Sequence, residues 1–260
     1  MALAKTFIRL RYSGHYMRPW PRTQYYCQNS AGHAYSSPSR VRATGGLNRP
    51  MLYTRHCMQR VPWKLWAAAG LSAGLLELPF PLAGPMPPWR ALFAWFGLAP
   101  LLWAVLSPLN TERPHPLRRA FFLSYLTGFL WYCGNCYWIR NTMMRYGDMP
   151  TMAPTLLLIG FSLVLGLYFA LFGLFVALVH RASGSVRKAL AVAPFLWTAL
   201  EFLAAHFTSV PWDQLGYSQV DNGLITQLAP FTGVYGISFI LVCGNALLVA
   251  PILLHSRHRR

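Results

Sequence analysis

Apolar residues are gathered into six runs separated by short polar stretches. The runs lie near Lys64 to Leu82, Trp89 to Leu106, Ala120 to Ile139, Met152 to His180, Ala189 to Phe207 and Ala229 to Leu254. A bilayer core takes roughly 20 mostly apolar residues per helix. The pattern therefore predicts an all-α polytopic transmembrane bundle of about six spans. The fourth run is long enough to tilt or to overhang the bilayer. The third and sixth contain Gly and Asn, which softens their edges.

Composition agrees with the pattern. The chain is 55% hydrophobic and 11% charged, against about 25% charged in an average soluble domain. The net charge of +17 does not form a nucleic-acid surface. It sits in an N-terminal arm and in clusters between runs. The arm, residues 1–60, carries Lys5, Arg9, Arg11, Arg18, Arg22, Arg40, Arg42, Arg49, Arg55 and Arg60 and no acid. Its periodicity is weak, which is expected of a disordered cytoplasmic segment. An over-extended gene start, with Met51 or Met58 as the true one, and an Arg-rich transit peptide are the alternatives. Residues 61–260 form the bundle.

Basic residues alternate from loop to loop. Arg113, Arg118 and Arg119 mark one loop, Arg181, Arg187 and Lys188 another, and Arg257, Arg259 and Arg260 the tail. The segment between the fifth and sixth runs, "PWDQLGYSQVDNGLITQL", has no Lys or Arg. By the positive-inside bias both termini are expected in the cytoplasm and this segment on the outer face of the membrane.

Candidate chemistry is sparse. Glu201 lies inside the fifth run, where a carboxylate needs a partner, a proton or water. It reads equally as a lipid-headgroup contact and as a structural hydrogen-bonding group. Glu77 is expected to be interfacial and solvated, since Pro79 ends its helix. Cys133 and Cys136 form a C-x-x-C without the βαβ context of a redox motif, and read as small packing residues. Cys27, Cys57 and Cys243 complete an odd, scattered set that is no disulfide framework. "GYSQV" fails the G-x-S-x-G elbow at Val220. Gly70 and Gly74 make a G-x-x-x-G suited to close helix approach. Trp138, Tyr137, Trp212, Tyr217 and Tyr235 read as an interfacial aromatic belt, with Trp138, Trp212 and Tyr217 also candidates for lipid contact, and His206 is expected at the interface too. No catalytic constellation, metal cluster or cofactor motif stands out.

An ordered set of segments carries a resemblance. "LPFPLAGPMPPWRALFAWFGLAPLLWAV", "GFLWYCGNCYWIRNTMMRYGDMP", "APFLWTALEFL" and "PWDQLGYSQ…QLAPFTGVYGISF" with the following "NALL" resemble bacterial apolipoprotein N-acyltransferases over roughly Trp63 to Leu254. The resemblance implies a multi-pass protein of the bacterial inner membrane that serves lipoprotein maturation. It implies a phospholipid acyl donor and a diacylglyceryl apolipoprotein acceptor, joined by ping-pong transfer through a cysteine thiol. In the family that reaction uses a Glu, a Lys and a Cys of an external nitrilase-like domain that follows a seventh span. No position here matches them, so the expectation is a membrane domain truncated before its catalytic half and inactive alone. A non-catalytic scaffold that binds lipid or a separately encoded nitrilase-like domain is the alternative, and a small transporter a third reading that lacks the internal repeats it needs. Ala204 stands where the family usually carries an Arg shortly after the Glu of the fifth helix.

Overall fold

The computed structural model describes residues 62–80, 87–209 and 211–258; the expected basic arm, residues 1–60, lies outside them. Among the described residues every regular element is helical. They are α1 (Trp63–Glu77), α2 (Ala99–Leu106), α3 (Pro108–Thr111), α4 (Pro116–Asn135), α5 (Tyr137–Tyr146), α6 (Met152–Ser183), α7 (Val186–Thr208) and α8 (Ala229–His258), with 3-10 turns at Pro88–Trp95, Leu215–Gln219 and Ile225–Leu228. The all-α bundle expected from the apolar runs is what the chain forms.

Among the described residues, four segments are long and apolar enough to cross a membrane: Pro88–Thr111, Met152–Ser183, Val186–Thr208 and Ile225–His255. The first and third apolar runs form shorter or more polar helices. Helix α1 has 15 residues, which at 1.5 Å per residue is about 22 Å. Helix α4 has 20 residues but begins with Arg118 and Arg119 and ends at Asn135. Helix α6, with 32 residues, extends about 48 Å and overhangs a hydrocarbon core of about 30 Å.

Two of the runs do not make continuous α-helices. The second is a 3-10 turn followed by α2, and the third breaks at Cys136 before α5. The sixth is kinked at Gly233, whose φ of 64° and ψ of −171° leave the helical region. Each break exposes backbone groups that lipid cannot hydrogen-bond. Buried side chains supply the missing partners. Asn245 of α8 is fully buried. Its Oδ1 accepts from Leu98 N at 2.8 Å and Ala99 N at 2.9 Å, capping α2 from another helix. Its Nδ2 donates to Ala94 O and Leu241 O. Ser72 donates to Gly97 O and Gln219 donates to Ala91 O. Arg90 donates to Leu78 O and Phe80 O, closing the end of α1.

Helices α4 and α6 approach most closely at glycines. A Cβ built at Gly128 would lie 2.6 Å from Phe169 Cβ, and one at Gly173 would overlap Ser124. The Gly70 and Gly74 pair behaves otherwise than its spacing suggests. Neither has any atom within 4 Å of a built Cβ, so no helix rests on that stripe. Arg113, Arg118, Arg119, Arg181, Arg187 and Lys188 fall at one end of the bundle, around the α3–α4 and α6–α7 connections, whereas Arg90, Arg140 and Arg145 lie toward the other. The 3-10 segment after α7 sits at the other end, against the C-terminal ends of α1 and α4.

Replacing Asn245 by Leu strips buried Leu98 N and Ala94 O of their acceptor and donor, while Ala99 N keeps Phe96 O. At about 1–3 kcal/mol per orphaned group, N245L should lose at least ~2 kcal/mol, read by thermal unfolding in detergent. Gly128→Ala should lose about 1–3 kcal/mol by overpacking, whereas Gly70→Ala should leave the melting temperature at or above that of the parent.

Candidate functional site

The polar end of the bundle is organised around Glu201, near the C-terminal end of α7. Burying a carboxylate demands donors aimed at it. Trp197, one turn earlier, donates its indole N–H to Oε1 at 2.7 Å, and the Leu215 backbone N–H donates to the same oxygen at 2.7 Å. The Ser238 hydroxyl of α8 also faces the carboxyl group. Ser238 Oγ in turn accepts from Gly216 N at 2.9 Å. Two adjacent amides of the 3-10 turn are thus held by two different helices. Glu201 Oε2 is buried and has no partner of hydrogen-bonding geometry.

Asp213, two residues before Leu215, enters the same region. It accepts from the Cys136 thiol, with Sγ 3.0 Å from Oδ2. Burial pushes the Asp213 carboxyl above the usual carboxylate range, and the Cys136 hydrogen bond partly offsets this. Cys136 therefore sits at the α4–α5 break, packed in the hydrophobic core as expected and also donating a hydrogen bond. Cys133 and Cys136 are both free thiols.

Glu77 is drawn into this cluster as well. Its two oxygens are buried without a well-formed hydrogen bond, faced by the Asn135 backbone N–H and by Asp213. The expected solvated position at the interface is corrected. Gly134 is the reason: its missing side chain leaves the space that the Glu77 carboxylate fills. Trp131 secures the approach by donating to Leu76 O at 3.0 Å.

Beneath these acids lies a cavity of about 40 Å³, lined on one side by Glu201, Asp213 and Gln214 and on the other by aromatic rings of α4, α6 and α7. Gln214 is 4% exposed. Its Nε2 donates to the Tyr235 hydroxyl at 3.1 Å, and its Oε1 is buried and unpartnered. The rings form a continuous wall: Trp131 lies 4.7 Å from Tyr132, and Trp197 lies 5.0 Å from both Phe169 and Phe172.

Of the residues singled out from sequence, Glu201 is at the centre of this site. Trp138 and Trp212 meet each other, with ring centroids 5.4 Å apart, and both remain about half exposed. Tyr217 is on the 3-10 turn, partly exposed, and is not part of the cavity lining. Asp213 and Gln214 were missed. Their signal was an acid and an amide directly after a Pro-Trp step between two apolar runs.

Residues 57–247 match the family described as the apolipoprotein N-acyltransferase N-terminal domain. The chain belongs to this family. Its relatives include the apolipoprotein N-acyltransferase of Geobacter metallireducens, 36% identical over 190 residues, which covers 72% of this chain and 33% of that protein. The enzyme of that name from Methylococcus capsulatus is 32% identical over 174 residues, 64% of this chain and 34% of its own. That from Coxiella burnetii is 32% identical over 162 residues, 62% and 33% respectively. The chain thus spans about a third of the length of the N-acyltransferases it matches. The matched region includes the whole polar end just described.

Replacing Glu201 by Leu should release the 3-10 turn, raising amide hydrogen exchange at Leu215 and Gly216 by about tenfold or more, since a hydrogen bond to a charged group contributes about 1.5–3 kcal/mol. Glu201→Gln keeps an acceptor and should show a smaller rise. Asp213 has a folded pKa raised above its unfolded one, so its protonated form favours the folded state. Its contribution is fully present below the ordinary carboxylate range and is lost as pH rises through the raised value. The melting temperature should therefore rise on acidification, and Asp213→Asn should flatten that rise.

Proposed function

We propose that this chain supplies the membrane domain of an apolipoprotein N-acyltransferase in the bacterial inner membrane. The observation that carries the reading is the match of residues 57–247 to that N-terminal domain, which includes the polar collar latched by Glu201. In this reading the bundle admits phospholipid from the membrane and presents its headgroup end at the collar. Acyl transfer to the amine of diacylglyceryl-cysteine is performed above it by the Glu, Lys and Cys of a nitrilase-like domain. In this reading the 260 residues act in lipid positioning.

The orientation follows from charge. Arg113, Arg118, Arg119, Arg181, Arg187 and Lys188 lie at one end, and the positive-inside bias supports a reading with that end and both termini in the cytoplasm. The collar, residues 211–228, then faces the periplasm.

The purified chain, given phospholipid and a diacylglyceryl-cysteine peptide, should show no turnover; turnover above background overturns the division of labour. Adding a purified nitrilase-like domain should restore transfer, whereas co-purification of that domain without any transfer would favour a scaffold. Reporter fusions after Asn222 should be active in the periplasm and fusions after Gly184 in the cytoplasm. The opposite result overturns the orientation.

A further inference from the structure

The cavity beneath the collar has a one-sided chemistry. Three side chains on its polar side, Glu201, Asp213 and Gln214, carry acceptor oxygens. Glu201 Oε2 and Gln214 Oε1 are buried and have no donor. Gln214 is buried, at 4% exposure. No Lys, Arg or His lines the cavity among the described residues. Buried acceptors without donors are destabilising, and buried carboxylates more so unless a cation meets them. A ligand that suits such a wall must donate hydrogen bonds and carry positive charge.

Size and surroundings narrow the class. About 40 Å³ accommodates a group the size of a water molecule, which needs roughly 10–15 Å³ or more on this measure. An –NH3+ group fits, whereas a trimethylammonium carries three further methyl groups and does not. Trp131, Tyr132 and Trp197 are among the aromatic residues of the lining, and aromatic rings attract a desolvated cation. Tyr168 and Ala204 line the cavity and are themselves only half-buried. They place an approach between α6 and α7.

We propose that this cavity is a binding site for a primary ammonium group on an amphiphilic molecule, with Glu201, Asp213 and Gln214 as its acceptors. The ammonium donates to Glu201 Oε2, Gln214 Oε1 and the Asp213 carboxylate, while the hydrocarbon remainder leaves between α6 and α7 toward lipid. The site concerns binding alone. It stands or falls independently of whether the bundle serves an acyltransferase.

The test uses the full chain in dodecyl maltoside at pH 7.5, titrated with n-octylamine and followed by thermal unfolding. A saturable rise in melting temperature is expected with n-octylamine. n-Octyltrimethylammonium, too large, and n-octanol, uncharged, should give none. Asp213→Asn and Gln214→Leu should each weaken the octylamine response by about tenfold. Ala204→Lys should abolish it while raising the melting temperature of the ligand-free chain, because its own ammonium group meets the same acceptors. Equal shifts from all three amphiphiles, an unchanged response in both D213N and Q214L, or no saturable shift would overturn the proposal. Two natural sources share this chemistry. Protection in nanodiscs of phosphatidylethanolamine but not phosphatidylglycerol assigns a lipid headgroup. Protection by a lipopeptide with a free but not an acetylated N-terminus assigns a peptide amine. Protection by neither overturns the site.

Discussion

The structure depends on one constraint: inside hydrocarbon, every backbone N–H and C=O must find its partner within the protein. A bundle of unbroken helices meets it automatically. This chain breaks its helices at Phe96–Leu98, at Cys136 and between α7 and α8, and so has to meet it with side chains. Asn245, Ser72, Gln219, Ser238 and Glu201 each bond to a backbone group on another element. The polar residues scattered through the apolar runs are thus mostly the fastenings of the irregular segments. The Glu77 carboxyl lies outside this pattern; it is buried against Gly134 and Asp213 with little to stabilise it.

Glu201 shows how structural and functional readings of an intramembrane acid converge on one side chain. Oxygen Oε1 is committed to Trp197 and Leu215, whereas Oε2 faces the cavity unpaired. The first holds the collar in place. The second, together with Asp213 and Gln214, gives the cavity its acceptor character. A substitution at this position therefore disturbs both, and the two effects separate only by comparison with Gln214 and Asp213 variants, which leave the Leu215 latch intact.

The helical bundle was legible in the sequence because run length and charge alternation are local quantities. The family was legible from the order of several short segments. The contents of the site were less so. Glu201 could be singled out because an acid inside an apolar run is costly wherever it ends up, but its acceptor role toward Leu215 lies fourteen positions downstream. Asp213 looked like an ordinary loop acid, and nothing beside it announces a thiol 77 positions earlier. The Gly70–Gly74 spacing matched a packing motif, yet the faces that meet are set by the whole arrangement of helices, and α4 and α6 meet at Gly128 and Gly173 instead. Trp138 and Trp212 were recognisable as interfacial aromatics; their pairing, across 74 residues of chain, was not.

The bonding of two consecutive amides, Leu215 to α7 through Glu201 and Gly216 to α8 through Ser238, has a mechanical consequence. Two successive peptide units act as a crossbar between two columns. Axial sliding of either column against the other must rupture a fastening of the crossbar, so at this end the two move as a single body. Displacement that widens the bundle has to be taken up by other seams, and the collar travels with α7 and α8 as their shared load.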